Sequence, residues 1–203
     1  MGCSNVKQGS PYDKRIAASK VQDEILAAQR KEVPLAKPPP PPPLTVAATE
    51  GNLQQASSAI ESGEKVDGLD TMGMTPLHWA VMKGNKDVVS LLLQSKADVN
   101  FKAMGTGTAP LHRAACEIKL DILTALLAAN ADVNVQDNVG QTAIHMVAEK
   151  SSAADYQAIG EALVSAGANL NIKCNKGYVP LAMADDWGSR DMRDLISRNG
   201  GER

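Results

Sequence analysis

Three histidines are the residues of this chain best suited to chemistry, because imidazole transfers protons near neutral pH and binds transition metals. They are His78, His112 and His145, in the similar segments TPLHWA, APLHRA and TAIHMV, and lie 34 and 33 residues apart. Equivalent places in successive packed layers are about 10 Å apart, whereas all the ligands of a zinc ion lie about 2 Å from it. We therefore predict a structural role for the histidines and neither a metal site nor a catalytic set.

No other group of residues points to catalysis. The sequence has no glycine-rich phosphate loop, no Cys-x-x-Cys pair and no nucleophile elbow. The pair Asp185–Asp186 is typical of a solvated helix face. Cys3, Cys116 and Cys174 are too scattered for a disulfide framework, which favours a reducing, intracellular setting. Cys116 is better interpreted as a packing residue than as a redox or modification site. We predict no enzyme activity, no metal and no cofactor.

Charge is unevenly distributed along the 203 residues. Residues 1–43 contain seven basic and four acidic residues, a net charge of +3. Because the net charge of the whole chain is −2, the remaining residues carry −5. A weakly charged body gives no reason to expect a nucleic-acid partner, whereas a basic first segment suits an anionic surface. No run of about 18 apolar residues is present, so we expect neither a membrane span nor a standard secretion signal.

The first residues, MGCSNVKQ, resemble leaders that are doubly acylated. The resemblance implies myristate on Gly2 and palmitate on Cys3, with residues 1–12 as the acylation leader. The match departs from the pattern at Val6, where Ser or Thr is preferred. One myristoyl chain holds a protein to a bilayer only marginally, and a second chain makes the attachment persist. The alternative is that MGCS is an ordinary start of a chain.

Two further segments precede the main body. We predict an amphipathic helix over residues 13–33. Apolar residues recur there at helical spacing and form a narrow stripe of Ala18, Val21, Ile25 and Ala28. Residues 34–43 are a proline-rich linker, whose six consecutive prolines favour an extended rod of roughly 19 Å. We interpret the rod as a stiff spacer. The alternative is a ligand at Pro38–Pro43 for a polyproline-binding domain such as a Src-homology-3 domain.

From Leu44 onward the chain repeats itself. GMTPLHWAVMKGNKDVVSLLLQSKADVN (73–100) and GTAPLHRAACEIKLDILTALLAANADVN (107–134) are the clearest copies. A period near 33 with a T-P-L-H-x-A core resembles the ankyrin-repeat family. The resemblance implies an all-α solenoid of about five helix-turn-helix units with β-hairpin loops, over residues 44–203. We number five units, which begin at Leu44, Gly73, Gly107, Gly140 and Gly177.

Local signals fit such a unit. Thr75 can cap a helix with its hydroxyl, and Pro76 suits the first helical position, where no N–H is needed. Gly84 supplies the left-handed residue that ends the helix. Lys96 and Asn130 occupy the left-handed position that Gly167 fills in unit four. The resemblance further implies that each histidine hydrogen-bonds its own Thr and the backbone of the adjacent unit.

The resemblance also implies a concave surface that binds a protein. It is formed by the residues one, four and five positions after each histidine position, which we call the inner strip. Predicted partner contacts are Trp79, Met82, Lys83, Arg113, Glu117, Met146, Lys150, Asp186 and Trp187, with Tyr178 from a neighbouring hairpin. Cys116, Glu149 and Met183 complete the strip, and Met74, Thr108 and Gln141 are further hairpin neighbours. For Trp79 and Met146 the alternative is that they fill core space between repeats.

The expected function is therefore that of a non-enzymatic adaptor or scaffold. The acylated leader would hold it at the cytoplasmic face of a membrane as a peripheral protein. Two alternatives remain open. One is a structural subunit of a large ciliary or cytoskeletal assembly, and the other is a regulatory, inhibitory subunit of an enzyme.

Overall fold

The computed structural model describes residues 41–150, 154–186 and 190–202. Contacts within the chain divide it into Met1–Pro39 and Pro40–Arg203, and the described residues belong to the second part. The acylation leader, the 13–33 helix and Pro38–Pro40 lie outside the described residues, so the predictions made for them stay predictions.

The described residues form five pairs of helices. The bounds are α1 Pro43–Glu50, α2 Leu53–Glu61, α3 Pro76–Lys83, α4 Lys86–Gln94, α5 Pro110–Cys116, α6 Leu120–Ala128, α7 Ala143–Ala148, α8 Ala154–Ser165, α9 Pro180–Asp186 and α10 Arg190–Arg198. Each pair belongs to one predicted unit, which confirms the all-α repeat architecture. The last of the six prolines, Pro43, begins α1. No helix among these is long and apolar enough to cross a bilayer.

The start of α3 shows how a unit is built locally. Pro76 is the first helical residue, and Gly84 ends the helix with φ of 80°, as predicted. The Thr75 hydroxyl lies 2.8 Å from Nδ1 of His78, which also accepts the Thr75 N–H at 3.3 Å. The imidazole therefore caps the helix. This explains why unit three tolerates Ala109 at the Thr position, since His112 Nδ1 accepts the Ala109 N–H at 3.0 Å.

Left-handed residues end many of the helices. Lys96 and Asn130 both have φ of 63° and Gly167 has 86°, which confirms the prediction for this position. A further residue was not predicted: Ile118, with φ of 54°, stands where units one and two have Gly51 and Gly84. A left-handed conformation costs a residue with a Cβ roughly 1–2 kcal/mol. The half-buried Ile118 side chain packs against the core, which offsets part of that cost.

The core is one apolar layer that runs through all five units. In unit two, Leu77, Ala80 and Val81 of α3 meet Val88, Val89 and Leu92 of α4, each 0–1% exposed. Equivalent residues follow in the next units: Leu111, Ala114, Ala115, Ile122, Leu123 and Leu126, then Ile144, Val147, Ala148, Ile159 and Leu163, then Leu181, Ala184, Met192 and Ile196. Burying one such aliphatic side chain contributes about 1.5–3 kcal/mol. Since no unit can cover its apolar face alone, each depends on its neighbours.

The hairpins between units are tight turns. Backbone hydrogen bonds close these turns: the Asp70 N–H donates to the Met74 carbonyl oxygen at 3.1 Å, and the Asp137 N–H donates to the Gln141 carbonyl oxygen at 2.9 Å. No β-strand extends from these turns in the described residues. Neighbouring turns are joined at their tips, where three backbone N–H groups each donate to the previous hairpin at 3.0 Å: Met104 to Gly73 O, Asn138 to Thr106 O, and Asn175 to Val139 O.

A second polar ladder joins the outer loops. Side-chain oxygens of four residues at one repeat position accept a backbone N–H of the next unit at 2.7–3.1 Å: Asp67 from Asp98, Asn100 from Asp132, Asn134 from Asn169, and Asn171 from Glu202. Each bond contributes about 0.5–1.5 kcal/mol. The ADVN-type tail of each unit therefore fixes the spacing of the stack.

Candidate functional site: the inner strip

The inner strip lies on the side of the first helices that faces the hairpins. Two hydrogen bonds show this orientation. The Trp79 indole donates from Nε1 to Asp70 Oδ2 at 2.7 Å, and Gln141 Nε2 donates to Glu149 Oε2 at 3.4 Å. In both cases the helix residue belongs to the strip and its partner belongs to the hairpin of the same unit. The hairpins therefore form one wall beside the strip.

Trp79 serves the core and the surface together. Its ring packs against the apolar core while part of it stays exposed. The exposed part lines a surface hollow of about 250 Å³ with Val46, Thr49 and Glu50 of unit one. Because Asp70 holds the indole N–H, the ring orientation is set before any partner arrives. The structure therefore places part of Trp79 in the core, and the partner contact of its exposed part stays a prediction.

Arg113 occupies the position equivalent to Trp79 in unit three. The residue is half-buried, and its Nε is covered without any hydrogen-bond partner among the described residues. A buried donor left unpaired costs about 1–3 kcal/mol. Most buried polar groups in folded proteins are satisfied, so the exception needs an explanation.

Cys116 and Met146 meet between units three and four. The Cys116 thiol lies 3.4 Å from the Met146 sulfur, and the Tyr156 hydroxyl reaches the Cys116 carbonyl oxygen at 3.5 Å. Burial raises the pKa of the Cys116 thiol, so the reactive thiolate is disfavoured. This geometry supports the packing role expected for Cys116. Met146 is half-buried and can contact both a neighbouring unit and a partner.

Four of the charged strip residues point to solvent. Lys83, Glu117, Lys150 and Asp186 are exposed, and Met82 is half-buried. None of the four takes part in an ion pair within the described part of the chain. They are therefore available to a partner. Trp187, together with Gly2 and Cys3, lies outside the described residues.

The histidines lie behind the strip and are fully buried. Each Nε2–H donates to a carbonyl oxygen of the next unit: His78 to Thr108 at 3.0 Å, His112 to Gln141 at 3.1 Å and His145 to Tyr178 at 3.3 Å. Since Nδ1 accepts a backbone N–H in each, both ring nitrogens are occupied and the ring is neutral. Burial lowers the pKa of all three. No metal-binding group of three or more ligands occurs among the described residues.

The comparison with known families agrees with this geometry. The family model described as ankyrin repeats (3 copies) matches residues 24–103 and 111–202, well over half of the chain. The chain belongs to the ankyrin-repeat family. The match begins at residue 24, before the first described helix, and extends through all five helix pairs.

Several curated relatives match short stretches of this chain. Acyl-CoA-binding domain-containing protein 2 of Arabidopsis thaliana is 39% identical over 51 residues, 25% of this chain and 14% of that protein. The E3 ubiquitin-protein ligase XBAT32 of the same plant is 33% identical over 61 residues, which are 29% of this chain and 12% of that protein. Osteoclast-stimulating factor 1 of Monopterus albus is 47% identical over 47 residues, which are 23% of this chain and 22% of that protein. The matched segments span less than a quarter of each relative.

The hairpin residues beside the inner strip differ in their exposure. Met74 and Thr108 are only 4% and 8% exposed, so a partner cannot reach them. The exposed apolar residues are instead at the tips, where Met72, Met104 and Val139 are 62%, 63% and 54% exposed. Each directly precedes a glycine. That pairing of an apolar residue with a turn glycine is the signal by which the sequence could have located them.

A surface pocket of about 400 Å³ opens between the hairpins of units four and five. Its lining comprises Val139, Gln141, Glu149, Cys174, Asn175, Lys176, Tyr178 and Met183. Tyr178, a predicted contact, is 38% exposed at this place. The pocket therefore joins a tip residue, a hairpin residue and two members of the inner strip in one cavity.

Proposed function

We propose that this ankyrin-repeat protein is a non-enzymatic adaptor that binds a protein partner on its inner strip. Ankyrin repeats are a protein-interaction module, and the described site offers recognition groups and no catalytic set. The Arabidopsis ligase is matched over only 12% of its own length, so its ligase activity does not extend to this chain. The adaptor is held at the cytoplasmic face of a membrane by acyl chains on Gly2 and Cys3.

The observation that carries the binding surface is the unpaired Nε of Arg113. In the repeat order its position falls between those of Trp79 and Met146. Since this nitrogen is covered in the free protein, a partner reaches it only if the Arg113 side chain turns outward, and a carboxylate or carbonyl oxygen bound there would then recover the free energy lost by its burial. Arginine and tryptophan are also frequent hot spots of protein interfaces. On this proposal, Arg113 is a recognition group of the free protein that finds an acceptor on the partner.

We expect Arg113→Ala to weaken partner binding by about 1 kcal/mol or more, roughly fivefold or more. Folding should not suffer, because the substitution removes a covered donor that has no acceptor. The measurement is quantitative affinity capture from the native cell with the full chain, followed by titration with the recovered protein. Urea unfolding of the same variant reports its stability.

Gln94→Ala is the matched control, since Gln94 is exposed on the outer helix α4. It should bind like the wild type. Normal binding by Arg113→Ala would contradict the strip proposal. Stoichiometric, salt-resistant co-purification with many subunits would instead favour the structural component of a large assembly.

The membrane tether leads to a second expectation. Gly2→Ala should move the protein from the membrane fraction to the soluble fraction, because myristoylation requires an N-terminal glycine. Cys3→Ser should leave weak, one-chain attachment. Cell fractionation of the full chain measures both, with Ser10→Ala as the control.

Equal membrane partition of Gly2→Ala and wild type would end the tether proposal without affecting the inner strip.

A further inference from the structure

We infer that the pocket between hairpins four and five receives a lysine or arginine side chain of the protein partner. This rests on the proposed function and specifies the chemistry that the partner must bring. The pocket combines apolar walls with one carboxylate, and the two features together select for a cation on an aliphatic stem.

The floor and part of the walls are apolar. Cys174 and Met183, 5% and 3% exposed, lie deepest, while Val139 and Tyr178 are 54% and 38% exposed at the sides. All four already contribute to the cavity in the free protein, so a side chain that enters gains apolar contact without rearranging the core. Long aliphatic stems suit such a surface because they cover apolar area and keep their charge at the rim.

The carboxylate is that of Glu149. It is half-buried and lines the pocket, and one oxygen accepts a single long hydrogen bond from Gln141 at 3.4 Å. Within the described part of the chain, no basic group lies within ion-pair distance of it. Lys176 also lines the pocket, but its side chain is exposed and leaves Glu149 unpaired.

Charge decides between the possible occupants. A purely apolar side chain would cover Glu149 without giving it a partner, which is unfavourable for a charged group. An acidic side chain would be repelled. A guanidinium or ammonium group supplies the missing donors in a charge-assisted hydrogen bond. The unit-five strip residue Asp186, at the position equivalent to Glu149, adds negative charge on the same face.

The test uses single-residue probes on the full chain with ¹³C-methyl methionine, followed by NMR at low salt. The Met183 methyl signal is assigned by its loss in Met183→Leu. N-acetyl arginine and lysine methylamides should shift this signal with millimolar affinity. The norleucine methylamide, which keeps the stem and lacks the ammonium group, should bind about fivefold more weakly. The glutamate methylamide should not bind.

Two variants sharpen the result. Glu149→Gln keeps the shape and the Gln141 contact, and should reduce arginine binding to the norleucine level. Glu161→Gln makes the same change on the outer helix of unit four, where Glu161 accepts a bond from Gln157 at 2.9 Å, and should leave probe binding unchanged. Lys176→Ala should strengthen arginine binding by removing a competing cation.

The inference is overturned if norleucine binds as tightly as arginine, if Glu149→Gln changes nothing, or if no probe shifts the Met183 signal. The result is separable from the proposed function. Probe binding with normal partner capture by Arg113→Ala would support the pocket and contradict the strip. Loss of capture in Arg113→Ala, without any probe binding, would contradict the pocket alone.

Discussion

A Gly107→Ala variant is expected to lose about 3 kcal/mol or more of its free energy of unfolding. Two costs combine. Gly107 has φ of 69°, a conformation that costs a residue with a Cβ roughly 1–2 kcal/mol. An added Cβ would also overlap the Asn138 side-chain amide and lie 2.8 Å from the Asn138 backbone nitrogen. Overpacking of this kind typically costs a further 1–3 kcal/mol. The variant thus tests whether the hairpin tips are closely stacked.

Gly105 in the same hairpin is the matched control. Its φ is 84°, and no atom lies within 4 Å of an added Cβ. Gly105→Ala therefore carries the backbone cost alone, and urea unfolding should show it about 2 kcal/mol more stable than Gly107→Ala. Equal losses in the two variants would mean that the stacking of hairpins three and four is looser than described.

The second large effect is acid destabilisation through the three histidines. Burial lowers their pKa in the folded state, so the unfolded chain binds more protons as the pH falls below about 6.5. The contribution of the three neutral histidines to the free energy of unfolding is fully present above that pH. It is lost as the pH falls through their pKa values in the folded state. The free energy of unfolding can change by about 1.4 kcal/mol per pH unit for each histidine, hence by about 4 kcal/mol per pH unit for the three. Asp67, whose pKa is raised by burial, opposes this in the carboxylate range.

Urea unfolding between pH 7.5 and 5.0 measures the slope. His78→Ala should lower stability at neutral pH by about 1–3 kcal/mol through its lost hydrogen bonds. It should also reduce the pH slope by roughly a third, since one of the three titrating groups is gone. Added zinc or a chelator should leave the melting temperature unchanged. A metal-dependent melting temperature, or a stability that is flat across this pH range, would argue against buried neutral histidines.

Local sequence signals predicted much of the fold. Pro76 at a helix start and Gly84 at a helix end act over a few neighbouring residues, and the period near 33 is visible in the sequence itself, so these signals can be interpreted without the tertiary structure. The same holds for Lys96 and Asn130, whose left-handed positions follow from the helices that they end. The structural role of the histidines followed from their equal spacing.

Contacts between units decided the rest. Met72 is 62% exposed and Met74, two residues further on, is 4% exposed, a difference that no local signal in the sequence predicts. The pocket beside Glu149 is lined by side chains of units four and five, and the covered Nε of Arg113 is likewise a feature that no local signal in the sequence gives. The sequence by itself determined the repeating unit, because helix starts, stops and apolar periodicity are local properties. Only the stacked structure decided which polar groups were left without partners, because exposure and hydrogen bonding are set by the neighbour in space.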